Sequence, residues 1–281
     1  MSTPEPVRRS PFAGSWYPGE AAALAALVER QLEAASASAV EGSLVALASP
    51  HAGLVYSGPV AAHGFRLLRG RRDLTVVLAG PSHRLGFSGS AVWESGAFAT
   101  PLGEVPVDVV VAARLASQPG VRPDREPHRQ EHSLEMQLPF LQRLVPGLRI
   151  VPVLMGWQER EVVDALAAAL VAAAREAERE TLLVASTDLS HYHPAERAAR
   201  LDARVVECVD AFDPDELMRR LEAEPGHACG GGPLVAVMKA ARALGADRAR
   251  VLRRADSGDE GPKDKSRVVG YLSAAFSAAG S

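Results

Sequence analysis

Cysteine is nearly absent, with only Cys208 and Cys229 in 281 residues. That excludes a disulfide framework and fits a reducing compartment. Aromatic residues make up only 5%, too few for a surface on which bases stack. A basic excess is missing too. Lys and Arg total 31 against 34 Asp and Glu, a net charge of −3. Direct nucleic-acid binding is therefore not expected, because nothing in the balance would neutralise a run of phosphates. No stretch is apolar enough for a bilayer. Residues 161–174 (EVVDALAAALVAAA) come nearest, and they are short, interrupted and rich in the strongest helix former. The first twenty residues, MSTPEPVRRSPFAGSWYPGE, hold no apolar run, which predicts no signal peptide. A cytoplasmic protein without membrane association is the expectation. Also missing are a glycine-rich dinucleotide fingerprint, a phosphate loop, a Gly-x-Ser-x-Gly elbow and a Cys-x-x-Cys pair.

What is present is an ordinary globular composition, 47% apolar and 23% charged, with ample chain for a core. Short apolar runs alternate with longer helical patterns. The runs are residues 43–49 (SLVALAS), 73–80 (DLTVVLAG), 148–155 (LRIVPVLM), 181–186 (TLLVAS) and 267–273 (RVVGYLS). They are continuous rather than alternating, as in strands buried on both faces of a mainly parallel sheet. Helices are predicted over 20–35, 58–68, 131–144, 161–177, 194–211 and 233–243. Asp213-Pro214-Asp215-Glu216 reads as a further helix start, with Asp as N-cap and Pro at the first helical position. The alternation predicts a three-layer α/β/α architecture, as one domain over residues 1–281. Residues 92–107 break the pattern as a hairpin or extended insertion, and 255–265 read as a mobile loop.

The chemistry gathers where the strands end. Residues 43–49 run into Pro50-His51-Ala52-Gly53, 73–80 into Pro81-Ser82-His83-Arg84, and 181–186 into Thr187-Asp188-Leu189-Ser190-His191. Ligands in open parallel sheets bind outside the carboxyl ends of strands. Three strands therefore deliver imidazoles, and one a carboxylate, to one sheet edge. Two neutral imidazoles with one anionic side chain can hold a divalent ion with open positions.

Cys229, in Ala228-Cys229-Gly230-Gly231-Gly232-Pro233, reads two ways. A helix N-terminus nearby favours a thiolate that ligates metal or attacks as a nucleophile; equally, it is a small buried cysteine beside a packing turn. Cys208 reads as core. Asp188 and His191, three apart, share a face if they open a helical turn. The carboxylate then orients the imidazole as a general base or ligates metal itself; alternatively, Asp188 is an N-cap. His193, before Pro194, is expected to be exposed. In residues 128–140, Glu131 and His132 are expected to support the ligands from behind, and His128 to lie on the surface. Glu135 is either part of this patch or a solvated helix start.

These motifs resemble the Memo family. The resemblance rests on Phe12-Ala13-Gly14-Ser15-Trp16-Tyr17-Pro18, Ser49-Pro50-His51-Ala52-Gly53 with Tyr56-Ser57-Gly58, and Gly80-Pro81-Ser82-His83. It continues through residues 131–139 (EHSLEMQLP), 186–191 (STDLSH) and 265–271 (KSRVVGY), in order along almost the whole chain. The family shares its fold with the class III extradiol (LigB-like) dioxygenases, which open catechol rings with non-haem iron(II) on two His and one Glu. In Memo-like proteins a Cys replaces that Glu. The resemblance thus implies His51, His83 and Cys229 as metal ligands, His191 as the base and Asp188 in the same pocket. It implies iron(II) first, with copper or zinc favoured by the softer thiolate. Bacterial members are similar to the B component of the AmmeMemoRadiSam gene set, which implies a functional link to AmmeCR-like and radical-SAM proteins.

Three functions compete. The first is a metal-dependent, dioxygenase-like oxidoreductase acting on a small molecule or peptide in the cleft. The second is a metal- or peptide-binding protein with a vestigial site, whose partner binding survives loss of His191. The third is a metal-assisted hydrolase, active with zinc under anaerobic conditions.

Overall fold

The computed structural model describes residues 6–36, 40–224, 226–261 and 263–279. Its strands in chain order are β1 (Val7–Arg8), β2 (Ser43–Ser49), β3 (Thr75–Pro81), β4 (Ser90–Val92), β5 (Ala97–Thr100) and β6 (Gly103–Pro106). Then come β7 (Val121–Pro123), β8 (Arg149–Met155), β9 (Thr181–Ser186), β10 (His191–His193), β11 (Arg248–Asp256) and β12 (Val268–Ala278). Nine of them form the main sheet in the order β10-β12-β2-β9-β3-β8-β4-β7, with β11 pairing on β12.

The expected parallel arrangement holds at the centre, where β2, β9, β3 and β8 run side by side in one direction. Their apolar runs lie between two helical layers, and β3 is buried at every position. Outside this core the sheet is mixed: β4 runs antiparallel to β8 but parallel to β7. The fifth apolar run becomes β12, which is antiparallel to β2 and to β11. The short connection between β11 and β12 forces that direction, since parallel neighbours need a long crossover.

Helices α1 (Ala21–Ala34), α2 (Leu54–Phe65) and α4 (Leu138–Leu144) pack together on one face. On the other lie α3 (Val109–Ala116), α5 (Arg160–Arg175), α6 (Ala195–Asp210), α7 (Pro214–Ala223) and α8 (Gly231–Ala243). The result is the expected α/β/α stack. Asp213 caps α7 as predicted, its side chain accepting from the Glu216 N–H at 2.9 Å, and residues 92–107 contain the β5–β6 hairpin.

Two expectations are corrected. The helix predicted from residue 131 begins only at Leu138, after a 3-10 turn over Glu135–Gln137. The Glu131 carboxylate takes the N–H groups of His132 and Ser133, both at 2.9 Å, offering the backbone an alternative to helix. The stretch read as a mobile loop is folded on either side of Pro262, which lies outside the described residues. A one-turn helix, α9 (Ser257–Glu260), is capped by Asp256, and Lys265 reaches Asp256 at 2.8 Å and Asp259 at 2.5 Å.

Candidate metal centre

The central parallel strands end at one edge, where a cleft of about 570 Å³ opens. His51 follows β2, His83 follows β3 and Asp188 follows β9. Cys229 lies just before Gly230, the N-cap of α8. His132 enters from the irregular stretch ahead of α4, and His191 begins β10 at the sheet's margin. Ring nitrogens of His51, His83 and His132 all lie within 4.8 Å of one another.

Hydrogen bonding fixes the His51 tautomer. The Ser186 hydroxyl donates its one proton to the Ser133 carbonyl at 2.6 Å and accepts from the Gln137 amide at 2.9 Å. Its contact with His51 Nδ1, at 2.8 Å, must then be donated by the imidazole. The proton sits on Nδ1 and leaves the Nε2 lone pair facing Cys229 Sγ, 3.2 Å away. His83 repeats the arrangement with a carboxylate. Its Nδ1 lies 2.9 Å from Glu131 Oε1 and its backbone N–H donates to Oε2 at 2.6 Å. Carboxylate or hydroxyl partners behind an imidazole are how proteins orient metal-ligating histidines.

Glu131 is buried but stays ionised. Burial alone would raise its pKa; the bond and charge of His83, then His132 and the Ser133 N–H, overcome that and hold it down at about 2. His132 sits over it, Nδ1 3.2 Å from Oε1 but out of line for a hydrogen bond, so that buried nitrogen has no donor or acceptor partner. Burial, with His51 next, pulls the His132 pKa down to about 3. Burial and the neighbouring His83 hold that of His51 well below the ordinary value. Both rings are neutral at physiological pH, the form that binds metal.

Asp188 lies beneath this group. Its carboxylate accepts the His51 N–H at 2.7 Å, its N–H points at Cys229 Sγ at 3.3 Å, and its carbonyl accepts the Cys229 N–H at 3.2 Å. Burial pushes its pKa up to about 6. Of the two readings of Cys229, thiolate at the α8 terminus or small buried cysteine, the protein groups around it, taken alone, favour the protonated form: burial first and the Asp188 carboxylate second push the thiol's pKa up. The Asp188–His191 pair does not open a helix, and Asp188 caps none, since α6 starts at Ala195 behind Pro194. His191 lines the cleft, and His193 is only half-exposed. Cys208 is core, as expected.

With this geometry in view, relatives can be compared. Residues 8–275 match the family profile described as Memo-like protein. The chain belongs to the Memo-like family. It is 38% identical to a MEMO1 family protein of Methanopyrus kandleri over 237 residues, 83% of either chain. With the Methanothermobacter thermautotrophicus relative it shares 36% identity over 94% of this chain and 98% of the other. A crystal structure of an uncharacterized Escherichia coli K12 protein covers 82% of this chain at a TM-score of 0.50 and 14% identity, a likeness of fold alone.

In this Memo-family chain, two further patch residues prove structural. His128, expected on the surface, is buried, its Nε2 3.1 Å from the Ala91 carbonyl. Glu135 is not a solvated helix start: it is buried and bonded to Arg8 at 2.5 Å and the Tyr17 hydroxyl at 2.6 Å. Arg8 also donates to the carbonyls of His128 and Glu131, so the N-terminal segment grips the stretch carrying Glu131 and His132. Trp16, on the same segment, packs against His132 with centroids 4.4 Å apart and the rings tilted by 44°. Sequence reading missed the roles of Arg8, Ser186 and Gln137, because they act through long-range contacts that local spacing cannot reveal.

Proposed function

We propose that this Memo-family chain is a metal-binding redox protein whose cleft holds a non-haem iron(II) ion, or copper in its place, on His51, His83 and Cys229. One observation carries the reading: His51 and His83 both commit Nδ1 to a partner behind them, Ser186 and Glu131, which frees Nε2 of each for a ligand. Two imidazoles and a soft sulfur suit iron, copper or zinc over magnesium or calcium. A ring nitrogen of His132 within 4.8 Å of those of His51 and His83 adds to the fit. Because burial favours the protonated Cys229, holding an ion would require the thiol to lose its proton, so metal affinity would weaken as pH falls. When bound, a redox-active ion supplies Lewis acidity and one-electron chemistry.

The chain's own residues supply the rest. His191, on the cleft wall, takes or returns a proton on the ligand. Asp188 anchors the His51 backbone and the Cys229 turn, so both donors keep their places. The ligand is a small molecule or peptide, and links to AmmeCR-like and radical-SAM proteins and a cytoplasmic location belong to this reading. The unpaired cysteines support that location; among the described residues no helix is long and apolar enough to cross a membrane.

Elemental analysis of protein purified without air or chelators tests the reading. About one iron or copper per chain is expected in the wild type, with sharp loss in His51→Ala and Cys229→Ser variants that remain folded by circular dichroism. Absence of metal from the wild type would overturn the proposal. Undiminished metal in Cys229→Ser would overturn that ligand.

A further inference from the structure

The cleft has a polarity that the metal donors do not explain. Arg84, directly after His83, lines it and makes no hydrogen bond or ion pair among the described residues. Glu126 lies beside Arg84 in a neighbouring hollow, but it is engaged by Arg129 at 2.8 Å. Among the described residues the one acid lining the cleft is Asp188, buried and already accepting the His51 N–H. A second cation, Arg267, stacks over the Tyr192 ring at 5.4 Å, at the mouth. In a chain of net charge −3, the opening therefore presents a cation that no carboxylate pairs among the described residues, since the ionised Glu131 is buried behind His83 and His132 and engaged there. Its walls are apolar and aromatic: Trp16, Val55, Tyr192 and Val269 line it, and Tyr192 and Val55 are exposed at 64% and 56%.

We infer that the cleft selects a small organic carboxylate with an apolar or aromatic body, its carboxylate on the Arg84 guanidinium and its body against Trp16 and Tyr192. An uncommitted guanidinium is a rigid fork that matches a carboxylate with two parallel hydrogen bonds. A phosphate dianion would call for more donors than the single uncommitted cation that lines the cleft among the described residues. The volume suits a small ligand, and the aromatic faces bury its body at little entropic cost. The inference rests on the reading of this cleft as the working site; it names the class of ligand that site takes.

Isothermal titration of chelator-stripped protein tests this without involving the ion. The probes are phenylacetate, its neutral amide phenylacetamide, and phenyl phosphate. Phenylacetate is expected to bind the wild type about tenfold more tightly than phenylacetamide, the scale of one charge-assisted hydrogen-bonded pair. Arg84→Ala should remove that preference, whereas Arg160→Ala, whose side chain pairs with Glu222 away from the cleft, should leave it intact. Arg84 has no partner to lose, so the variant tests recognition and not folding. The inference is overturned if Arg84→Ala retains the acid-over-amide preference, if phenyl phosphate binds more tightly than phenylacetate, or if no probe binds. Selective carboxylate binding by a protein that proves metal-free would sink the metal reading and leave this one standing.

Discussion

At the scale of single residues, the site is built by assigning protons. Ser186 has one hydrogen and gives it to Ser133; that choice places the His51 proton on Nδ1. Glu131 does the same for His83 and anchors the backbone of His132 and Ser133 as well. The buried His128 gives a pH test. Burial lowers its pKa to about 3, so between that value and the ordinary 6.5 the unfolded chain binds a proton the folded one refuses. Stability contributed by this site is full above pH 6.5 and is lost as pH falls, by about 3 kcal/mol at pH 4. Asp188 works in the opposite sense, because its raised pKa favours folding as pH drops. Urea unfolding of wild type and His128→Asn from pH 7 to 4 separates the two. The variant should lose less stability on acidification, and parallel curves would refute the assignment.

At the scale of elements, the sequence made the central sheet legible and its margins obscure. Strands β2, β3, β8 and β9 fall within two residues of their apolar runs, because burial on both faces demands continuous hydrophobicity. Three of the four also carry the signal that mattered, a polar turn straight after the strand. β11 (RARVLRRAD) could not be read this way. It is a charged edge strand defined by its pairing with β12, with no alternation clear enough to announce it. The stretch over residues 131–134 failed for the reverse reason, since its side chains satisfy the backbone that a helix would otherwise have satisfied. Gly230 shows how closely the elements meet: a Cβ there would run into the Ser186 carbonyl and the Thr187 side chain. Gly230→Ala should therefore push the start of α8 off β9, costing about 1–3 kcal/mol in denaturant unfolding and releasing metal from the Cys229 side. Wild-type stability and metal content in that variant would show that the turn has room to spare.

At the scale of the whole molecule, the first residues of the described chain and the middle of the sequence form one structure. The small β1-β5-β6 sheet holds Arg8 where it reaches Glu135, 127 positions later. Removing one partner of a buried ion pair is far more damaging than replacing both. Arg8→Met should cost about 3–5 kcal/mol, and Arg8→Met with Glu135→Leu should recover part of that loss in equilibrium unfolding. Additive losses would mean the pair is not coupled. The same segment seats Trp16 against His132, while the other two tryptophans stand elsewhere, Trp93 buried and Trp157 exposed at 57%. The indole is thus a built-in optical reporter. A paramagnetic ion captured by the neighbouring imidazoles would quench its emission, so the fluorescence of the unlabelled protein can register occupancy of the cleft in real time.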